Sequence, residues 1–291
     1  MRAFDYLQPT SIDEASLLLA QHGEDARVFA GGTALMLVMR QRMLNPKVLV
    51  SLDRLSELRG ISFDATEGLR IGALSLHAEV AEDAHVKQHY PMLAHMAAHL
   101  ANPQVRNQGT IGGNLCYADP ATDPPGCLMA LDAKVILQSA RGRRIVSMQE
   151  FLTDYYTTAL AADELLLAIL VPPPSVNSVG QYTRFRRTAA EHRPILNVSF
   201  CASKHVRTDG VRLSNIRLVV AASTPMPTRL KQAEDLLAAE DITETLIERV
   251  AKLAAKEANV ISDQRGSEDY RRQMLQVITR RTLQSALGLD K

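Results

Sequence analysis

Two glycine pairs carry the chemistry most visible in this sequence. One lies in Phe29-Ala30-Gly31-Gly32-Thr33-Ala34-Leu35, the other in Thr110-Ile111-Gly112-Gly113-Asn114. Glycine lets a main chain approach a ligand closely and take up angles closed to other residues. Before the first pair stands a short apolar run, and after it an apolar stretch of helix formers, with Thr33 placed to cap that helix. Backbone N–H groups at a helix N-terminus favour an anion, a phosphate above all. The same residues also suit a plain strand-to-helix turn, since the spacing matches neither the Walker nor the Rossmann fingerprint. Two such loops could hold one pyrophosphate from both sides, which suits a dinucleotide.

Other candidate chemistry is thin. His85 and His89 are four residues apart, as are His95 and His99, so each pair can share a helix face. No carboxylate or thiol completes either pair, and packing or a solvated face is the better reading; no metal site is expected. Cys116, Cys127 and Cys201 are odd in number and lack CxxC spacing, which argues against a zinc site, an iron–sulfur cluster or a disulfide framework. No acid, base or nucleophile constellation stands out, so no catalytic residue is assigned. The net charge of +1 over 291 residues gives no general attraction to nucleic acid or anionic membrane. No apolar run is long enough to span a bilayer, and the N-terminus lacks a signal-peptide core; a cytoplasmic location is expected.

The elements that must position these loops can be read in order. Ser11 and Glu14 form a capping box for a helix ending before Gly23. With the first glycine loop, its helix and an apolar strand at 48–52, this gives a β-α-β-α-β unit over 1–55. Hairpins follow at 61–72 and 134–146, with helices between them from Ser75 to Val80, 91 to 100 and 125 to 131. Residues 165–171 form a strong strand, stopped by Pro172-Pro173-Pro174. Three antiparallel strands and three helices, at 228–238, 243–258 and 267–287, then suggest a separate α+β domain. The expected division is 1–55 and 56–176 as two α/β subdomains, and 177–291 as a three-stranded sheet plus helix bundle.

Ala30-Gly31-Gly32-Thr33 together with Gln104-Val105-Arg106-Asn107-Gln108-Gly109-Thr110-Ile111-Gly112-Gly113-Asn114 resembles the FAD-binding subunit of the molybdenum hydroxylases. That group includes the medium subunit of carbon monoxide dehydrogenase and the flavin domain of xanthine dehydrogenase, and the resemblance covers essentially the whole chain. It implies a two-lobed α+β FAD-binding fold. Phe29, Ala30, Gly31, Gly32, Thr33, Ala34 and Leu35 would wrap the FAD pyrophosphate and ribityl region. Thr110, Ile111, Gly112, Gly113 and Asn114 would supply the second wall. Asp123, nine residues after Asn114, would accept a hydrogen bond from the adenosine ribose, and Leu166 would pack on the ring system. Phe185-Arg186 falls where the family has a hydrophobic residue and a Lys near the isoalloxazine. Arg186 keeps the charge but not the geometry. His192 falls near a tyrosine that flanks the flavin in carbon monoxide dehydrogenase. The insertion that carries a four-iron cluster in some relatives is absent, and Cys116 reads as a small buried residue.

The resemblance further implies an oxidoreductase subunit that passes electrons from partner iron–sulfur clusters through FAD to NAD, a quinone or oxygen. The molybdenum cofactor would sit on a large partner and two two-iron clusters on a small ferredoxin-like one, in a dimer of heterotrimers. The alternatives are a stand-alone FAD-dependent oxidase or dehydrogenase, which needs a substrate pocket over the flavin, and a non-catalytic dinucleotide-binding protein, which would show no flavin spectrum.

Overall fold

The computed structural model describes residues 1–188 and 191–289. The chain opens with a three-stranded parallel sheet in the order Asp5–Leu7, Val48–Ser51, Ala26–Phe29. Parallel neighbours need crossovers, and two helices make them. Ile12–His22 starts at Ser11, whose hydroxyl accepts from Glu14 N–H, and stops at Gly23, whose φ of +49° favours glycine. The Glu14 carboxylate reaches back to Thr10 N–H at 2.7 Å rather than to Ser11. The second helix, Leu35–Arg40, corrects the expected cap. Ala34 is its N-cap and makes no side-chain bond. The Thr33 hydroxyl instead lies toward Gly109.

A five-stranded antiparallel sheet follows, in the order Ile61–Asp64, Gly68–Gly72, Leu165–Val171, Lys134–Ser139, Gly142–Ser147. Its middle strand serves two cores. Leu166, Ile169 and Val171 join the core under the helices of this lobe, while Leu165 and Leu167 join Ala15, Leu19 and Val50 under the first sheet. A register shift between Leu166 and Ala168 resets the alternation, which is why one even and two odd positions share a side. The helix expected from Ser75 is His77–Glu82, with Leu76 at its N-cap. The Ser75 hydroxyl is used on Gly60 O, and Glu79 takes Leu76 N–H at 2.7 Å.

The C-terminal sheet has four strands, not the expected three: Ser178–Phe185, Leu196–Arg207, Gly210–Ala221 and Thr228–Arg229. The helix read from Thr228 begins at Lys231 because Thr228 and Arg229 pair with Val220 and Val219. Helices Lys231–Ala239, Glu244–Glu257 and Glu268–Leu287 cover one face of this sheet, with Val250, Leu275 and Leu283 fully enclosed. Helix Pro124–Ala130 is buried along its length between the middle lobe and the C-terminal sheet. A Cβ on its Gly126 would lie 3.2 Å from that of Ala221, so glycine sets this close approach. Among the described residues no helix is long and apolar enough to cross a membrane.

Candidate cofactor-binding site

The two glycine loops, far apart in sequence, meet. A Cβ on Gly31 would lie 2.1 Å from the Gln108 carbonyl oxygen and 3.0 Å from Gly109 Cα. A Cβ on Gly109 would lie 3.3 Å from Thr33 Oγ1. Gly32 has φ +68°, and a side chain there would strike the Phe29 ring at 2.8 Å. The backbone N–H groups of Gly31, Gly32, Thr33 and Ala34 make no hydrogen bond among the described residues. Four successive unused donors before a helix are the chemistry an anion needs.

The second pair does something else. Gly112 and Gly113 lie inside a helix, Ile111–Tyr117, rather than in a loop. The N–H groups there are spoken for: Ile111 donates to Ser75 O, Gly112 to Ala73 O, Gly113 to Thr110 Oγ1 and Asn114 to Thr110 O. Gly112 is glycine because Ala73 presses on it, with both Ala73 Cβ and O 2.7 Å from where its own Cβ would be. Thr110, Ile111 and Gly112 pin this helix to the segment that follows strand Gly68–Gly72. The wall facing the first loop is the preceding turn, Gln108-Gly109. Asn114 and Thr122 exchange hydrogen bonds at 2.9 and 3.2 Å, tying the helix to the segment that ends in Asp123.

Asp123 is only 2% exposed. Its carboxylate accepts from Tyr182 OH and faces Arg184 Nε at 3.3 Å. Burial pushes the carboxyl above its usual value of 3.8, while Arg184, Tyr182 and Arg186 pull the other way. The expected role as ribose acceptor is joined here by contacts within the chain. The carboxylate is committed to the C-terminal sheet because period-two alternation sets Tyr182 and Arg184 on one side of strand Ser178–Phe185, and Arg186 continues that side just past its end. Arg186 is half-buried, with Nη1 3.4 Å from Glu191 O. Phe185 points the opposite way, into the C-terminal core beside Tyr270, so Phe185 and Arg186 do not act as a unit.

Leu166 is 4% exposed and enclosed in the core that holds Ile111 and Leu115, which leaves little surface for a ring. His192 is exposed, and its carbonyl accepts from Arg184. Cys116 is exposed, not buried as expected, because the helix turns it away from the core that takes Leu115. His85 and His89 are used in a stack on Phe63, at 5.9 and 4.0 Å between ring centroids. Sequence reasoning missed Tyr182 and Arg184, although their spacing from Arg186 was visible. It quoted Gly109 within the second motif but gave it no role.

Residues 2–174 match the model of the FAD-binding domain in molybdopterin dehydrogenase, and residues 181–286 that of the CO dehydrogenase flavoprotein C-terminal domain. The chain belongs to the FAD-binding medium subunits of the molybdenum hydroxylases. This medium subunit is 34% identical to the nicotine 6-hydroxylase medium subunit of Paenarthrobacter nicotinovorans, over 98% of its own length and 97% of the relative's. It is 31% identical to the carbon monoxide dehydrogenase medium chain of Hydrogenophaga pseudoflava, over 97% and 96% of the two chains. Among solved structures, a carbon monoxide dehydrogenase chain from the same organism superposes with a TM-score of 0.92, at 31% identity over 99% and 98% of the chains. A chain of quinoline 2-oxidoreductase from Pseudomonas putida 86 gives 0.91, at 30% identity and the same coverage.

FAD is therefore the cofactor, and the site fits it. The unused N–H groups of Gly31 to Ala34 can receive a pyrophosphate. Glycine at 31 and 109 lets the two loops approach each other closely.

Proposed function

We propose that this medium subunit is the FAD-carrying electron-transfer member of a molybdenum-containing hydroxylase or dehydrogenase complex. A large partner would oxidise the substrate at a molybdenum cofactor. A small ferredoxin-like partner with two two-iron clusters would deliver the electrons, and NAD, a quinone or oxygen would collect them. The observation that carries this reading is the row of unused donors at Gly31 to Ala34, closed by the Gln108-Gly109 turn. The relatives are named for substrates as unlike as nicotine, carbon monoxide and quinoline at similar identity. That fits a subunit that does not itself select the substrate.

FAD, when bound, supplies the redox chemistry, and the protein supplies position and electrostatics. Gly31, Gly32, Thr33 and Ala34 hold the pyrophosphate through their N–H groups. Phe29, Ala30 and Leu35 flank it. Thr110, Ile111, Gly112, Gly113 and Asn114 fix the opposite wall from behind. Leu166 backs the same wall. Asp123 acts as counter-ion to Arg184 and Arg186 and can still accept from the adenosine ribose, and Arg186 would favour negative charge on a reduced ring. The expected divisions at 55 and 176 remain our reading of the domain organisation.

Purification of the chain from its native host, with an absorption spectrum, metal analysis and a denaturing gel, tests this. The expected result is flavin and iron–sulfur absorbance, molybdenum, and one larger and one smaller co-purifying chain. Flavin with a single band would contradict the complex and support a stand-alone enzyme.

A further inference from the structure

Arg184 lies on strand Ser178–Phe185 of the C-terminal sheet, and its side chain is only 5% exposed. Its guanidinium reaches three segments that are far apart in sequence. Nε faces Asp123 Oδ1 at 3.3 Å, Nη1 donates to His99 O at 2.6 Å, and Nη2 donates to His192 O. From His99 the chain runs to the second wall through a set of local bonds. Arg106 Nη1 donates to Leu100 O at 2.8 Å, Asn102 Oδ1 accepts from Val105 N–H at 2.9 Å, and Gly109 N–H donates to Val105 O at 2.7 Å. The Gln108–Gly109 turn at the end of that run is the one that meets Gly31. From Asp123 the chain leads back to the same wall, since Thr122 exchanges hydrogen bonds with Asn114. Thr122 O also accepts from Asn197 Nδ2 at 3.2 Å. One side chain thus ties both flanks of the second wall to the C-terminal sheet.

We propose that Arg184 is a positioning residue for the adenosine end of FAD: its fork holds the Asp123 carboxylate in a fixed place relative to the Gln108–Gly109 turn, so that the carboxylate meets the adenosine ribose while the pyrophosphate lies on the first loop. The inference rests on the reading of the glycine loops as the FAD site and of Asp123 as ribose acceptor. A planar guanidinium with its donors in a rigid fork can serve a carboxylate and two carbonyls at once, and an ammonium on a flexible stem cannot. The Tyr182 hydroxyl and Arg184 Nε both address Oδ1. A carboxylate has about four acceptor positions, so capacity remains for a ribose hydroxyl. Without Arg184, Asp123 would keep Tyr182 but lose its guanidinium partner in a buried place, and the His99 and His192 carbonyls would lose a charged donor. A buried carboxylate left that way turns toward another donor or takes a proton. In either case it no longer accepts from the ribose at the same point. None of the three contacts of Arg184 falls on the Gly31–Ala34 loop, so the grip on the pyrophosphate stays with that loop.

The test is FAD affinity of the full-length chain, read by flavin fluorescence, together with the visible circular dichroism bands of the bound flavin at saturating FAD. Arg184→Gln should weaken FAD binding by about tenfold or more, the worth of one hydrogen bond to a charged group. Its flavin bands at saturation should coincide with those of wild type, because the change lies at the adenosine end. Unchanged affinity would overturn the proposal. Weaker affinity with altered bands would overturn it too, since a general loosening of the site reaches the ring as well. Should Arg184→Gln fail to fold, Arg184→Lys takes its place. Lysine keeps the charge beside Asp123 but cannot reach all three partners, and wild-type affinity in that variant contradicts the proposal. A wild-type chain that binds no FAD would instead overturn the reading of the glycine loops as its site.

Discussion

Gly31 is the single residue on which the meeting of the two loops depends most. Adding one methyl there sets a carbon 2.1 Å from a backbone oxygen, and the main chain of residues 108–109 cannot swing aside as a side-chain tip would. Overpacking of this kind costs about 1–3 kcal/mol. If the loops part to absorb it, Gly31→Ala should weaken FAD binding by about tenfold or more, measured by equilibrium dialysis. The C-terminal core should remain intact by circular dichroism. Gly113→Val should also weaken binding, for a different reason. Its Cβ would lie 2.7 Å from Thr110 Oγ1, so it undoes the cap of helix Ile111–Tyr117 rather than entering the phosphate's path. The glycine pairs were legible in the sequence, but their separate duties were not. Both pairs read alike in sequence; only the partners Ala73 and Thr110 reveal that the second pair's N–H groups are already taken. The surroundings of Asp123 were hidden for a similar reason: its neighbours in space, Tyr182 and Arg184, lie about sixty residues downstream.

The elements themselves were easier to read, because each states its limits locally. Helix Glu268–Leu287 begins at Ser267 and ends at Gly288, whose φ is +72°. Strand Leu165–Val171 ends where the prolines begin. What the sequence hid was pairing between elements: the short strand Thr228–Arg229 exists only because Val219 and Val220 lie beside it. The same long helix carries a testable charge. Arg271 is fully buried, bonds Ile261 O at 2.8 Å, and pairs with Asp263 at 2.5 Å. Burial raises the Asp263 carboxyl, but hydrogen bonds from Arg265 and Arg271 outweigh it and bring it down to about 2 from 3.8. A folded value below the unfolded one means the stability is complete above about pH 4 and is lost as pH falls toward 2. Asp263→Asn strands a buried guanidinium and should cost about 3 kcal/mol in chemical denaturation. It should also flatten the loss of stability across that acid range.

At the scale of the whole molecule, three hydrophobic cores are joined by devices that span them. The register shift in Leu165–Val171 lets one strand close two cores. Helix Pro124–Ala130 and the contacts of Asp123 with Tyr182 and Arg184 lock the C-terminal sheet to the cofactor lobes, helped by Arg217 Nε on Ala130 O at 2.7 Å. The same contacts hold Arg186 close enough to Asp123 for its charge to act on that carboxylate. The most direct single measurement is the FAD content of the purified full-length chain, read by absorbance and by mass after release, beside the Gly31→Ala variant prepared identically. One tightly held FAD per wild-type chain, with most of it missing from the variant, is the predicted result. A wild-type chain without FAD, or a variant with equal occupancy, would contradict the placement of the cofactor between the Gly31–Gly32 loop and the Gln108–Gly109 turn.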